Sequence, residues 1–447
     1  MASRAAAASH VEASLSSLSS DLLMRVANYL DVKELCVFDT AVSAKQLRAK
    51  FLSGLMTDAF LYPGADADKK SSEWQEGYAQ WLTLRRVIVN SISLNKKTTP
   101  SVLLLYDTMN RVNPGLVSLT IRGDVTFPKD IAVRNTKTLH TLVLYKQGTA
   151  QLRKSMRSVR EWGSKGGSLH TLELTRCDFG NEAVDFGCCD ALTELYIDNC
   201  SSNLSTTPGD SLGCTRLLWG ILHKCANLKL FQFDAEKDAT PLNDRDLCLL
   251  ARFCPHLIDL WIFSQHGTVD EVAVVCVAMK CTKLEQLRLP TALTDRTIRA
   301  IAANLVSLQM LYIEDLQLHK PRTLRVLAVG CPQLQELYIE KGNALVSEAE
   351  LLYLVENAKN LQLLTIDKWE HLDLRERWEL QPFAAEELLQ LGMEDPEALL
   401  SSQRDRLQVL RAATQQPGEM DEMDIVDKLH AASSNPRFKL ILLDAPL

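Results

Sequence analysis

Tyr196, Trp261, Tyr312 and Tyr338 share one context: each is preceded by leucine and followed by isoleucine. Arg288 holds the same position in another unit, and two positions beyond this series stand Asp198, Asp234, Phe263, Glu314, Glu340 and Asp367. An aromatic side chain buries a large area at small entropic cost, so such residues are the usual anchors of protein interfaces. Carboxylates beside them favour a basic partner segment and speed its encounter. The chemistry on offer is recognition of a polypeptide. The alternative is that these are ordinary solvated strand residues, aromatic because sheets favour aromatics.

Residues for bond-making chemistry do not assemble into a known pattern. The nine histidines are scattered, and there is no H-E-x-x-H, G-x-S-x-G, phosphate loop or dinucleotide-binding glycine motif. GSKGGS at 163–168 lacks the Gly-Lys-Ser/Thr ending of a phosphate loop and reads as a helix C-terminus and turn. Twelve cysteines include no C-x-x-C pair, so no zinc ribbon or thioredoxin-type site is expected. We expect no enzyme, no cofactor and no metal site. A net charge of −7 argues against a nucleic-acid binder held by phosphate contacts. No run reaches the roughly 18–20 apolar residues of a membrane span. The Ala/Ser-rich start lacks a long apolar core, so no secretory signal is expected, with an organelle-targeting segment as the lesser alternative. Twelve cysteines without an export signal point to reduced thiols in the cytoplasm, the nucleus or both.

The elements that must position the aromatic series follow from a repeat. The pattern L-x-x-L-x-L, with apolar residues at offsets 0, 3 and 5, runs from Leu116/Leu119/Ile121 to Leu361/Leu364/Ile366 through Leu139, Leu169, Leu192, Leu228, Leu257, Leu284, Leu308 and Leu334. The mean spacing is about 27 residues, inside the range of leucine-rich repeats. Leu84/Val87/Val89 is a degenerate earlier copy. Cys225, Cys254, Cys281 and Cys331 each stand three residues before the first leucine of a repeat. Segments upstream, such as NDRDLCLLARF and TDRTIRAIAANL, carry apolar residues at helical spacing behind capping residues.

Each unit therefore reads as helix, turn and strand, with cysteine as a compact packing residue in the turn. One strand and one helix cannot cover their own apolar face, so units must stack. The expected fold class is α/β: a leucine-rich-repeat solenoid over 80–370, a horseshoe with a parallel sheet on the concave side and helices on the convex side. Core leucines point inward, while the residues at offsets 4 and 6 face the concave side. The 36-residue step from Leu192 to Leu228 contains SSNLSTTPGDSLG, which reads as a surface loop.

Residues 1–14 are expected to be a disordered N-terminus, and 15–60 a helical module. In LSSDLLMRVANYLDVKELCVFDTAVSAKQLR, Leu22, Leu23, Val26, Tyr29 and Leu30 share a helical face behind Ser19 or Ser20. Leu18, Leu35 and Val42 complete an order of residues that resembles an F-box. With cysteine-containing repeats behind it, the chain is similar to F-box/leucine-rich-repeat proteins, whose repeats are of the ribonuclease-inhibitor-like kind. The resemblance implies that the head docks on a Skp-type adaptor, and through it a cullin, while the repeats recruit a protein substrate for ubiquitin conjugation. It departs from the family pattern at Ser19, where proline is usual, and at Gln46 and Leu47, where a tryptophan is usual. The alternative is a non-ligase scaffold whose N-terminal helices only cap the solenoid. Residues 371–447 are expected to form a helical and strand cap, with FKLILL pairing against the last repeat strand; a separate interaction tail is the alternative.

Overall fold

The computed structural model describes residues 61–62, 79–80, 83–84, 88–96, 98–112, 114–180, 189–201, 218, 220–235, 242–264, 269–319, 322–340, 348–367, 433 and 439–443. The expected N-terminal tail, the F-box-like residues Leu18, Leu22, Leu23, Val26, Tyr29, Leu30, Leu35 and Val42, the core of the SSNLSTTPGDSLG segment and most of 371–447 lie outside the described residues. The chain divides into two compact units, Met1–Leu204 and Ser205–Leu447. Each is a run of leucine-rich repeats.

In the first unit, strands β1 (Leu61–Tyr62) and β2 (Ile88–Val89) form a short parallel pair. Then β3 (Ser91–Leu94), β4 (Ser118–Arg122), β5 (Thr141–Tyr145), β6 (Thr171–Thr175) and β7 (Glu194–Asp198) pair in parallel and in chain order. Helices α1 (Pro100–Val112), α2 (Lys129–Arg134) and α3 (Thr149–Gly163) connect them.

The second unit holds β8 (Leu230–Ala235), α4 (Asp244–Phe253), β9 (Asp259–Ser264), α5 (Glu271–Lys280), β10 (Gln286–Thr294), α6 (Asp295–Asn304) and β11 (Met310–Gln317). It continues with α7 (Arg325–Gly330), β12 (Glu336–Ile339), α8 (Glu348–Asn357), β13 (Leu363–Asp367) and β14 (Lys439–Leu443). Its strands are again parallel and in order, and Lys439–Leu443 pairs with β13 from Leu363↔Lys439 to Asp367↔Leu443.

Burial alternates along the strands with the period of two that a pleated backbone imposes. The residues at offsets 0, 3 and 5 of every repeat from Leu116 to Leu361 are buried. Each contributes about 1.5–3 kcal/mol by leaving water. The first repeat lies elsewhere than Leu84/Val87/Val89. Leu84 is 79% exposed, whereas Val89, Ile92 and Leu94 are 3%, 2% and 0% exposed at the same three offsets, 27 residues before Leu116. Polar Asn90, Ser91 and Ser93 between them hide the pattern.

The expected caps form. Asn243 Oδ1 accepts from the Asp246 amide at 3.1 Å and Asp246 Oδ2 accepts from the Asn243 amide at 3.0 Å, a reciprocal box at the start of α4. At α6 the Thr294 amide donates to Thr297 Oγ1 at 2.7 Å. The cysteines act as packing residues and backbone clips. Cys254 Sγ donates to Cys225 O at 3.4 Å and Cys281 Sγ to Cys254 O at 3.6 Å, each thiol reaching the preceding repeat. Cys177 and Cys200 do the same at strand ends, to Leu144 O at 3.3 Å and Leu174 O at 3.2 Å. Burial pushes the Cys281 and Cys331 thiols up to about 12, which keeps them protonated.

In the first unit the strands end in a shared turn. Gly123, Lys146, Arg176 and Asn199, each two residues past the last core position, have φ of 67°, 52°, 50° and 49°. The turn lets the Gly123, Lys146 and Arg176 amides donate to Tyr145 O, Thr175 O and Asp198 O of the next repeat at 2.7, 2.9 and 2.7 Å. Those bonds offset the roughly 1–2 kcal/mol that the left-handed region costs a residue with a Cβ.

Candidate functional site

Parallel pairing in register places Gln232, Trp261, Arg288, Tyr312, Tyr338 and Thr365 on one rung across β8–β13 of the second unit. Because offset 4 lies between two buried positions, the pleat turns this rung to the face opposite the core. Trp261, Arg288, Tyr312 and Tyr338 are half-buried there.

The side chains on this face touch one another. The Trp261 and Phe263 ring centres are 6.0 Å apart at 43°. The Arg288 guanidinium carbon lies 4.0 Å from the Phe263 ring centre and 3.7 Å from that of Tyr312. Tyr312 stacks on Tyr338 at 6.0 Å with 29° between the planes. Trp261, Phe263, Arg288, Tyr312 and Tyr338 thus form a continuous ladder with the cation in its middle. Sequence reading placed these residues on one face, and the structure adds that Arg288 is a rung of the ladder rather than an isolated charge.

The carboxylates are already in use. Tyr312 Oη donates to Glu340 Oε2 at 2.7 Å, and Tyr338 Oη to Glu336 Oε2 at 2.9 Å. Burial and the hydrogen bond to Glu340 push the Tyr312 hydroxyl up to about 12, opposed by Arg288. Burial and Glu336 do the same for Tyr338, also to about 12. Both phenols therefore stay protonated and hold the carboxylates in fixed places. Glu314 is half-buried on β11 beside them.

Three carboxylates on this face were missed: Asp259 and Glu336, at offset 2, and Glu285, at offset 1. The same alternation that turns offset 4 outward also turns offset 2 outward, so Asp259 and Glu336 were legible. Burial, and then the charge of Glu285, raise the Asp259 carboxyl above its ordinary range. Gln309 Nε2 donates to Glu285 Oε2 at 2.9 Å.

Asp234 is half-buried on β8, beside the ladder and in register with Phe263. The remaining expected site residues are not among the ladder's contacts. Asp367 occupies the last position of β13, paired with Leu443; its side chain lies outside the described residues. Tyr196 and Asp198 belong to the first unit, where they pair with Glu173 and Thr175. The Tyr196 hydroxyl reaches Glu194 Oε2 at 3.5 Å, and Asp198 Oδ1 accepts from Asn199 Nδ2 at 2.8 Å. The outward series also has breaks. Thr175 and Thr365 are buried, and Pro290 is buried where the register of β10 shifts between Leu289 and Ala292. A proline has no amide to give the ladder, which suits a bulge.

His140 and His170, at equivalent positions, pack ring to ring at 4.5 Å and 61°. Among the described residues no group of three His, Cys, Asp or Glu side chains is placed to hold a metal ion. Nor is any helix there long and apolar enough to cross a membrane.

No protein-family model matches the chain, and no curated protein matches it. Solved structures resemble it distantly, two among them being these. One is an internalin, InlF, from Listeria monocytogenes, at 13% identity and a TM-score of 0.38, covering 66% of this chain and 88% of that one. The other is the Rad7 and Elc1 complex from yeast, at 14% identity and a TM-score of 0.43, covering 85% of this chain and 92% of that one. The repeat architecture itself is established by the strand register and the burial of the offset positions.

Proposed function

We propose that the chain is a protein-binding receptor, and more specifically the substrate-recruiting subunit of a Skp–cullin–F-box ubiquitin ligase. The observation that carries the reading is the ladder Trp261–Phe263–Arg288–Tyr312–Tyr338, joined by side-chain contacts and half-exposed on the face of the strands turned away from the buried leucines. Aromatic and arginine side chains so placed are the residue types that dominate binding energy at protein interfaces. Asp234, Asp259, Glu285, Glu314, Glu336 and Glu340 surround it on the same unit and suit a partner with a basic segment. The F-box-like order in 18–42 supports the adaptor and cullin half of the proposal. In that arrangement the bond-making chemistry belongs to other subunits, and this chain supplies proximity. Free thiols throughout the described repeats fit a cytoplasmic or nuclear setting.

The second reading is a scaffold or regulator that uses the same face without a ligase. It is favoured by Ser19, Gln46 and Leu47, where the head departs from the F-box pattern. A pull-down of the full chain with the purified adaptor separates the two. Wild type is expected to bind, and Leu22→Asp with Leu23→Asp to lose binding. No binding by wild type points to the scaffold. The face is tested separately by Trp261→Ala with Tyr312→Ala, which is expected to abolish capture of immobilised peptides that carry a basic segment while leaving the thermal melt in place. Undiminished capture rejects this surface.

A further inference from the structure

The ladder has a cation at its centre although every other charged side chain named on the face is a carboxylate. Arg288 stands on the rung between Trp261 and Tyr312, with its guanidinium between the rings of Phe263 at 4.0 Å and Tyr312 at 3.7 Å. Stacking uses the flat faces of a guanidinium and leaves its edge, where the N–H donors lie, pointing away from the rings. The carboxylates near it are occupied: Glu340 by the Tyr312 hydroxyl, Glu336 by the Tyr338 hydroxyl, and Glu285 by Gln309. Among the described residues no oxygen accepts a hydrogen bond from Arg288.

We propose that Arg288 is a receptor for a carboxylate on the bound polypeptide, an aspartate or glutamate side chain flanked by basic residues. The inference rests on the second unit's open face being the protein-binding face, and adds the chemistry of its centre. A side chain clamped between two rings has lost most of its rotamer freedom before binding, so little ordering cost remains when its donors are used. Its fork matches the two oxygens of a carboxylate. The surrounding acids select among anions: a phosphate group would bring more negative charge beside Glu314 and Glu340 than a carboxylate does. They also set the flanks, since lysine or arginine on either side of the acid meets Glu314, Glu340 and Asp259. The ligand class is thus a peptide in which an acid interrupts a basic run. A uniformly basic peptide would set a cation against the cation already there.

Immobilised full-length protein is titrated with pools of short synthetic peptides of identical basic flanks. The central residue is aspartate or glutamate in one pool, asparagine or glutamine in a second, and phosphoserine in a third. Wild type is expected to prefer the acid-centred pool over the amide-centred pool by at least about tenfold, the size of one or more hydrogen bonds between charged groups. Arg288→Gln and Arg288→Lys are both expected to lose that preference while keeping weaker binding to the flanks; lysine keeps the charge but not the planar fork. Equal binding of the acid and amide pools, retained preference in Arg288→Gln, or preference for the phosphoserine pool overturns the carboxylate assignment and leaves the binding face standing. Binding of no pool overturns the face and this inference together. Should Arg288→Gln melt far below wild type, the wild-type comparison of acid and amide pools decides alone.

Discussion

Arg325 Nε donates to Glu350 Oε1 at 2.7 Å, with both side chains all but excluded from water, 1% and 2% exposed. The pair joins α7 to α8, and the guanidinium also lies 4.9 Å from the Tyr353 ring centre. Two charges taken out of water recover their desolvation cost only through each other, so removing one is worse than removing both. Glu350→Ala is expected to destabilise the protein by about 3–5 kcal/mol. Arg325→Met with Glu350→Leu is expected to lie much nearer to wild type. Urea unfolding of the three proteins, followed by circular dichroism, measures this. A double variant as unstable as Glu350→Ala contradicts the account.

The same helix makes stability depend on pH. Burial raises the Glu356 carboxyl from 4.5 to about 7, and Glu356 Oε2 is buried with no hydrogen-bond partner among the described residues. Burial likewise raises Glu350 above its ordinary range, more than Arg325 lowers it. A folded state that keeps a proton the unfolded chain releases is weakened as pH rises. For Glu356 that window runs from 4.5 to about 7. The melting temperature is expected to fall across this range, and Glu356→Gln to flatten that part of the curve. A wild-type melting temperature that rises steadily from pH 4.5 to 7 would falsify this assignment.

Gly330 ends α7 where α6 comes too near for any side chain. A Cβ there would stand 2.2 Å from Ala302 O and 2.7 Å from Ala302 Cβ. Gly330→Ala must push the two helices apart and is expected to cost about 1–3 kcal/mol. Gly148→Ala is the control, because a Cβ there meets nothing within 4 Å; a loss within about 1 kcal/mol is expected for an N-cap change. Thermal melts of the two variants are compared. Equal losses remove the steric reading.

The backbone clips made by cysteine predict which thiols react. Cys254, Cys281 and Cys331 are fully buried, whereas Cys248 and Cys276 on α4 and α5 are half-buried. Burial also raises the Cys254 thiol well above its ordinary range. Alkylation of the native protein, read out by peptide mass spectrometry, is expected to leave the first three unlabelled until denaturant is added. Labelling of Cys254 or Cys281 at the rate of Cys276 removes their assigned place in the stack.

The sequence by itself determined the repeat and its facing. A strand of period two inside a cycle of about 27 residues leaves one arrangement in which Leu287, Leu311 and Leu337 are buried and Arg288, Tyr312 and Tyr338 are not. Asn243 and Thr294 likewise announced their helices, because a cap is a bond between near neighbours in the chain. Asp259 and Glu336 were equally legible by alternation, and the first repeat at Val89, Ile92 and Leu94 was obscured only by intervening polar residues. Tertiary structure alone decided which outward residues touch. Arg288 meets Phe263 and Tyr312, Tyr312 meets Glu340, and Arg325 meets Glu350 across 24 to 28 intervening steps of chain. No local pattern carries those pairings, since they depend on strand register, on rotamers chosen among several neighbours, and on how closely α7 approaches α6. Periodicity told where each side chain points; packing settled what it finds there.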